Sequence, residues 1–181
     1  ALFSIVPSRV LGGGKHIAPS DQLTKGLIGC GAAGRSPMHF TNSEACRLTA
    51  LCDVNENRLN EAKSQAQSQL RQKVKTYHNY RDLLRDPNVD IVDIATPPHW
   101  HGIMAAEAAY AGKDVWCETP MTRTIGEGKK VAEAMRQNKR IFGLNTWFRY
   151  SDTFYGLGTT VAPLKKIADS GVLGWPLKIR I

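Results

Sequence analysis

The chain has 181 residues, 42% of them hydrophobic, and a formal net charge of +8. This composition excludes a disordered chain, and the length suits one ordinary domain and a little more. Lysine and arginine are scattered among acidic residues without interleaved aromatic residues, so the positive charge indicates a basic solvated surface. No nucleic-acid partner is expected.

The first 22 residues lack the regular pattern of the remainder. An apolar stretch, "ALFSIV", is followed by the loop-like "PSRVLGGGKHIAPSDQ". This pattern is typical either of an ordinary N-terminal arm or of the remainder of an export signal. No run approaches the roughly 18 apolar residues of a membrane helix, so no membrane span is expected.

From residue 23 onward, short apolar runs alternate with amphipathic segments. Near-continuous apolar strands suit a parallel sheet that is covered on both faces. Six strands alternating with helices predict an α/β fold, a doubly wound parallel Rossmann sheet, over residues 23–150. The predicted strands lie at 25–29, 47–53, 74–77, 90–96, 114–118 and 140–145, and the helices at 56–70, 102–112 and 124–138.

Past residue 150 this alternation ends. "TTVAPLKKIADSGVLG" predicts a helix with Pro163 in its first turn, and "PLKIRI" alternates like a strand. A lone strand cannot satisfy its hydrogen bonds by itself. We therefore interpret residues 151–181 as the start of a second, α+β domain; the alternative is a strand added to the first sheet.

The strongest motif is "GLIGCGAAGR", in which a G-x-G-x-x-G pattern follows the first strand. The first glycine permits a tight turn, the second lets the backbone approach a pyrophosphate, and the third allows close packing of a following helix. The N-terminus of that predicted helix would attract phosphate. The alternative is a tight turn without a ligand. The predicted cofactor-binding residues here are Gly29, Cys30, Gly31, Ala32, Ala33 and Gly34.

Asp53 closes the second strand, 24 residues after Gly29. An acid at this place can accept both hydroxyls of an adenine ribose and repels a 2′-phosphate, so NAD is favoured over NADP. Arg58 could weaken that preference. The alternative role for Asp53 is a helix cap before "NENRL".

The fourth strand ends in "ATPPHWHG". Ligands of doubly wound sheets lie beyond the carboxyl ends of the strands, so Thr96, Pro97, Trp100 and His101 are further candidate cofactor contacts. His101 is expected to begin the next helix. His99 and His101 are only two residues apart with no carboxylate placed to join them, and no cysteine pair has C-x-x-C spacing. No metal site is predicted.

Together, "GCGAAG", "LTALCDVNENRL", "ATPPHWH" and "AAYAGKDVWCETPMTRTIGEGKKV" resemble the glucose–fructose oxidoreductase / inositol dehydrogenase (Gfo/Idh/MocA) family over roughly residues 22–150. The resemblance implies an NAD(P)-dependent oxidoreductase acting on a sugar, polyol or glycoside. It also implies a second domain that carries much of the substrate pocket and builds a homo-oligomer. Exported relatives have a similar N-terminal segment, which implies a periplasmic protein; a cytoplasmic one is the alternative.

Glu118-Thr119-Pro120 stands where the family has Glu-Lys-Pro. The resemblance implies that Glu118 keeps its contact on the nicotinamide side, but Thr119 cannot take over the proton-handling role of the lysine. Three interpretations follow. Another residue, such as His101, handles the proton in a dehydrogenase; or NAD stays bound and oxidises a sugar only transiently, as in a lyase or glycosidase; or the protein binds nucleotide without turnover.

Overall fold

The computed structural model describes residues 17–18, 21–146, 166–167, 169–172 and 174. The chain divides into two units, Ala1–Asn145 and Thr146–Ile181. Only a few residues of the predicted N-terminal arm, 1–22, belong to the described part. The predicted boundary at residue 150 stays a prediction.

The first unit contains a six-stranded parallel sheet, as the apolar runs predict. Its strand order, β3-β2-β1-β4-β5-β6, reverses direction beside β1, so the crevice at the carboxyl ends of β1 and β4 is the usual place for a ligand. All neighbouring strands pair in parallel. The strands are β1 Leu23–Ile28, β2 Cys46–Cys52, β3 Lys75–Tyr77, β4 Ile91–Ile94, β5 Asp114–Cys117 and β6 Phe142–Leu144.

Helices cover both faces of this sheet. Successive strand residues point to opposite sides, so each strand packs apolar side chains against both layers of helices. Leu27 and Leu51 pack on the face covered by α1, and Ile28 and Cys52 on the other face. These four side chains are almost completely buried. The helices are α1 Glu56–Gln69, α2 Tyr80–Leu84, α3 Pro98–Tyr110 and α4 Ile125–Gln137.

Local sequence signals fix where these helices begin. The side chains of Asn55 and Thr124 accept hydrogen bonds from the first turns of α1 and α4. Pro98 opens α3, since proline at the first helical position loses no intrahelical hydrogen bond. The prediction that His101 begins this helix was therefore wrong by three residues. The short α2, capped by Asn79, was not predicted.

The helix predicted directly after the glycine motif is absent. Residues 31–40 instead form successive turns, closed by hydrogen bonds such as Arg35 N–H to Gly31 O and Phe40 N–H to Ser36 O. Pro37 explains the difference, because proline disfavours the helical conformation of the residue before it and lacks an N–H.

In the second unit, Lys166, Ile167 and Asp169 are helical, in agreement with the helix predicted there. Pro163 and the predicted strand "PLKIRI" lie outside the described residues. No helix of the described part is long and apolar enough to cross a bilayer.

Candidate functional site

A cleft of about 1000 Å³ opens at the carboxyl ends of β1, β2 and β4. Its position agrees with the rule that ligands of open α/β sheets bind where the strand order reverses. The turns after β1, the start of α1, the segment before α2 and the loop after β4 form its walls. The lining residues include Gly29, Gly31, Ala32, Ala33, Arg35, Asp53, Val54, Arg58, Asn79, Thr96, Pro97 and Trp100.

The three glycines of the motif have different surroundings. Gly29 has φ +98°, and a Cβ there would lie 2.6 Å from the carbonyl oxygen of Ala95. A Cβ on Gly34 would lie 1.8 Å from the carbonyl oxygen of Gly29. A Cβ on Gly31 would meet nothing within 4 Å. The fold thus explains glycine at 29 and 34, whereas at 31 it leaves open space on the cleft wall.

Cys30 and Gly34 lie behind the cleft wall and do not line it. The Cys30 side chain is fully buried, and burial is the main cause that raises the pKa of its thiol to about 12. Its backbone N–H donates to Asp53 Oδ2 at 2.8 Å. Cys30 therefore contributes to the site by holding Asp53.

Asp53 joins the glycine turn to the end of β2. Its Oδ2 accepts from Cys30, and its Oδ1 accepts from the N–H of Asn55 at 2.8 Å. The helix cap is Asn55, so the alternative role of Asp53 as the cap of α1 was wrong. Asp53 lines the cleft with Arg35 and Arg58. Arg35 is paired with Glu61, with its Nη1 2.8 Å from Glu61 Oε2.

The loop after β4 brings Thr96, Pro97 and Trp100 to the cleft wall. His101 does not line the cleft: it is buried, with Nδ1 2.7 Å from the carbonyl oxygen of Pro120 and Nε2 2.7 Å from that of Thr96. His101 therefore connects the loops that follow β4 and β5, which suits a positioning role better than proton transfer to a ligand.

Glu118 lies next to this loop, because its N–H donates to the carbonyl oxygen of Ile94 at 2.9 Å. It is not among the residues that line the cleft. Thr119 is exposed, and the peptide bond between Thr119 and Pro120 is cis.

A buried polar cluster that the sequence analysis missed surrounds Glu118. His39 Nδ1 lies 2.8 Å from Asp93 Oδ1, and His39 Nε2 lies 2.5 Å from Glu118 Oε1. Asn145 Nδ2 donates to the same Glu118 oxygen at 2.7 Å. One signal was available: Asp93 is a charged residue inside the apolar run "DIVDIAT". Lys25 joins this group, because its Nζ donates to the carbonyl oxygen of His39. We call His39, Asp93, Glu118, Asn145 and Lys25 the His39 cluster.

No group of three or more histidine, cysteine, aspartate or glutamate side chains in the described part of the chain is arranged to hold a metal ion.

Comparison with known proteins agrees with this architecture. Residues 23–146, about two thirds of the chain, match the GFO_IDH_MocA family, described as "Oxidoreductase family, NAD-binding Rossmann fold". The chain is similar to "Glycosyl hydrolase family 109 protein 2" of Shewanella sp. (strain ANA-3), with 41% identity over 63% of this chain and 26% of that protein. It is also similar to inositol 2-dehydrogenase of Salmonella typhimurium, with 29% identity over 87% of this chain and 44% of the relative.

Solved structures show the same fold. Myo-inositol 2-dehydrogenase from Lactobacillus plantarum has a TM-score of 0.66 and 29% identity, over 84% of this chain and 42% of that chain. The WlbA dehydrogenase from Bordetella pertussis, in complex with NADH and UDP-GlcNAcA, has a TM-score of 0.69 and 24% identity, over 84% and 41% of the two chains. The chain thus spans less than half the length of these relatives.

Proposed function

Because the chain belongs to the Gfo/Idh/MocA oxidoreductase family, we propose that it binds NAD in the cleft at the carboxyl ends of β1, β2 and β4. The surroundings of Gly31 carry this proposal. Gly31 needs no special backbone conformation, and a Cβ there would clash with none of the residues that the structure describes. Glycine at 31 is explained if the backbone must be approached closely by a ligand, as a pyrophosphate approaches the second glycine of this motif.

The residues of the cleft fit the parts of the dinucleotide. The turn offers the backbone N–H groups of Gly31, Ala32 and Ala33 to the pyrophosphate, because those of Gly29 and Cys30 already donate within the chain. Asp53 offers carboxylate lone pairs to the adenine ribose. Thr96, Pro97 and Trp100 form the wall towards β4 and β5, with Glu118 beside it. When bound, NAD supplies a hydride acceptor or donor.

NAD is proposed in preference to NADP. Asp53 is held by two backbone N–H groups, so it cannot easily turn away from a 2′-phosphate. Arg35 and Arg58 line the same cleft, and their positive charges favour a 2′-phosphate. The ion pair with Glu61 partly neutralises Arg35.

This chain spans less than half the length of these relatives. For a longer protein that contains it, we propose hydride transfer between NAD and a sugar, polyol or glycoside. The likeness to inositol 2-dehydrogenases supports this class of substrate. Thr119 carries no group that can exchange a proton near neutral pH, and His101 is buried behind the cleft wall. We therefore propose that another residue of the full-length protein accepts the proton. Export to the periplasm and homo-oligomerisation through a second domain remain proposals from the resemblance.

A second candidate is an NAD-retaining glycosidase or lyase, in which the sugar is oxidised only transiently. The 41% identity to a glycosyl hydrolase family 109 protein favours it. A dehydrogenase accumulates NADH in proportion to oxidised sugar, whereas the second candidate releases sugar from a glycoside without accumulating NADH. NADH absorbance and product release, measured together on the full-length protein, distinguish the two; neither signal with any sugar indicates a nucleotide-binding protein without turnover.

Replacement of Gly31 tests NAD binding itself. Gly31→Val places a side chain in the open space of the cleft wall, so it should abolish NAD binding measured by calorimetry while the thermal midpoint stays near that of the wild type. Gly126→Ala, on the outer side of α4, is the matched control and should bind NAD normally. Unchanged NAD affinity in Gly31→Val contradicts the proposal.

A further inference from the structure

The His39 cluster collects side chains from separate parts of the sheet. His39 comes from the turns after β1, Asp93 from β4, Glu118 from the end of β5 and Asn145 from the end of β6. His39, Asp93 and Asn145 are all buried. Polar side chains buried to this extent are costly unless they are hydrogen-bonded. Each of the three makes at least one hydrogen bond, and only Asn145 Oδ1 among their side-chain atoms is buried without a partner in the described part of the chain.

The hydrogen-bond valences of this cluster favour a charged histidine. Each ring nitrogen of His39 faces a carboxylate oxygen, at 2.8 Å for Asp93 and 2.5 Å for Glu118. Ionised carboxylates only accept, and only an imidazolium donates from both nitrogens. Lys25 Nζ, 3.9 Å from Asp93 Oδ2, supplies a second positive charge. The positive charges of His39 and Lys25 then balance the negative charges of Asp93 and Glu118.

Glu118 is the member of the cluster that reaches the surface. Its side chain is 24% exposed, against 1% for His39 and 4% for Asp93. Its Oε1 accepts from both His39 and Asn145, and its Oε2 accepts from the N–H of Thr119 at 3.1 Å. The bond from Glu118 N–H to Ile94 O places it beside the loop after β4 that lines the cleft.

We propose that His39 is a positioning residue of the nucleotide site: as an imidazolium bridging Asp93 and Glu118, it fixes the Glu118 carboxylate and, through it, the main chain at Thr119. Asp93 anchors the bridge inside the sheet. Oε2 of Glu118 keeps an unused lone pair, so the fixed carboxylate is available as an acceptor for a ligand group at this edge. The ligand part of this inference rests on the proposed NAD binding.

The proposal carries a defined pH dependence. Burial lowers the pKa of His39, but the hydrogen bonds and charges of Asp93 and Glu118 outweigh it and raise the pKa above its ordinary value. Lys25 is the other charged group that faces the cluster. The bridge is therefore complete near neutral pH and is lost as the pH rises through the folded-state pKa of His39. Glu118 and Thr119 should lose their fixed positions over the same range. Burial raises the pKa of the Asp93 carboxyl, so the bridge is also lost once the pH is low enough to protonate Asp93.

Nuclear magnetic resonance of the full chain tests the bridge without any ligand. In the wild type, both ring nitrogens of His39 should carry protons at neutral pH, and the Thr119 amide signal should titrate with His39. In Asp93→Asn, which keeps the shape but removes the anchoring charge, the pKa of His39 should fall. A neutral His39 at neutral pH in the wild type, or a Thr119 amide that ignores its titration, overturns the proposal.

Calorimetry with NAD tests the consequence for the site. In the wild type, NAD affinity should fall as the pH rises through the pKa of His39. His39→Gln should weaken NAD binding by about tenfold, since a charge-assisted hydrogen bond is lost, and its NAD affinity should not fall over that pH range. Lys113→Met is the control: its buried ammonium donates to Asp86 O and Val89 O near the amino end of β5. It should lose comparable stability while keeping NAD affinity.

The outcomes separate the two proposals. Wild-type affinity in His39→Gln, together with a stability loss like that of Lys113→Met, shows that His39 is merely structural. If the wild-type chain binds no NAD, the proposed function fails, and the Thr119 amide titration alone decides the positioning role.

Discussion

Two polar clusters in the described part of the sheet are assembled differently. One lies around Asp86 near the amino ends of β4 and β5 and comprises Lys75, Tyr77, Asp86, Asn88 and Lys113; we call it the Asp86 cluster. Most of its members lie within fourteen residues of one another in the sequence. The His39 cluster draws on residues up to 120 positions apart, from Lys25 to Asn145.

The difference shows what each cluster does. The Asp86 carboxylate accepts from Lys75, Tyr77 and both nitrogens of Asn88. These bonds close a turn and fasten it to the sheet. In the His39 cluster, the carboxylate of Glu118 is only partly covered. The first arrangement stabilises the fold, and the second holds a group at the edge where ligands bind.

The largest expected effect concerns a packing residue at the ligand-binding edge. Gly34→Ala places a Cβ 1.8 Å from the carbonyl oxygen of Gly29, so the turn must shift. We expect a loss of about 3 kcal/mol in the free energy of unfolding, at the upper end for overpacking. Urea denaturation measures this loss. Gly126→Ala, in the first turn of α4 where the nearest atom lies 3.9 Å away, should be neutral or slightly stabilising, since alanine favours a helix more than glycine does. Equal stabilities of the two variants would contradict the packing role of Gly34.

Asp86→Asn should break the Asp86 cluster without affecting ligand binding. Burial alone would raise the pKa of Asp86, but hydrogen bonds from Asn88, Tyr77 and Lys75 lower it well below its usual range. We expect a loss of about 2 kcal/mol at neutral pH, as for a hydrogen-bonded charged group.

The sign of the pH dependence follows from that lowered pKa. The ionised carboxylate stabilises the fold fully above its unfolded pKa of about 3.9, and this contribution is lost as the pH falls towards the folded pKa. Denaturation of wild type and Asp86→Asn should therefore differ most at neutral pH and converge in acid. A difference that grows in acid is the contradicting result.

Cofactor preference is the next test, now at the open cleft. We expect the wild type to bind NAD more tightly than NADP by about tenfold, or about 1.4 kcal/mol, because Asp53 repels a 2′-phosphate. Asp53→Asn removes the charge and should reduce the difference in affinity between NAD and NADP. Glu133→Gln, an exposed residue on α4 with the same change in net charge, should leave it unchanged. Calorimetry with both cofactors decides, and equal affinities in the wild type would contradict the assignment.

The smallest effect is expected at Thr119, and it concerns the full-length protein. Thr119→Lys adds a cation beside a cluster whose charges already balance, so it should not raise kcat and should weaken NAD binding slightly. Thr119→Met, of similar length and uncharged, is the control. A rise in kcat of about tenfold or more, as for a restored proton-transfer group, would show that Thr119 is a lost catalytic position.

The strands and long helices could be predicted because their signals are local. Runs such as "DIVDIAT" are apolar over a strand length, and Asn55 and Thr124 stand where a helix cap is needed. The failure after the glycine motif was also local. The glycine motif predicts a following helix, but Pro37, three residues after Gly34, disfavours the helical conformation there.

Only part of the candidate site could be predicted from the sequence. The glycines and Asp53 follow strand ends directly, so their place at one edge could be anticipated. Cys30, Gly34 and His101 were predicted as contacts because of their position in the sequence, but burial could be known only from the packed fold. His39 and Glu118 are 79 residues apart, and no periodicity relates them.

The contact between Gly34 and Gly29 has a kinetic consequence. Because the turn that follows β1 is packed against itself and against Ala95, we expect it to be formed before any ligand arrives. A preformed turn pays little ordering entropy on binding, so association should proceed without a slow conformational step. Substitutions along this wall should then change the residence time of the nucleotide far more than its rate of arrival.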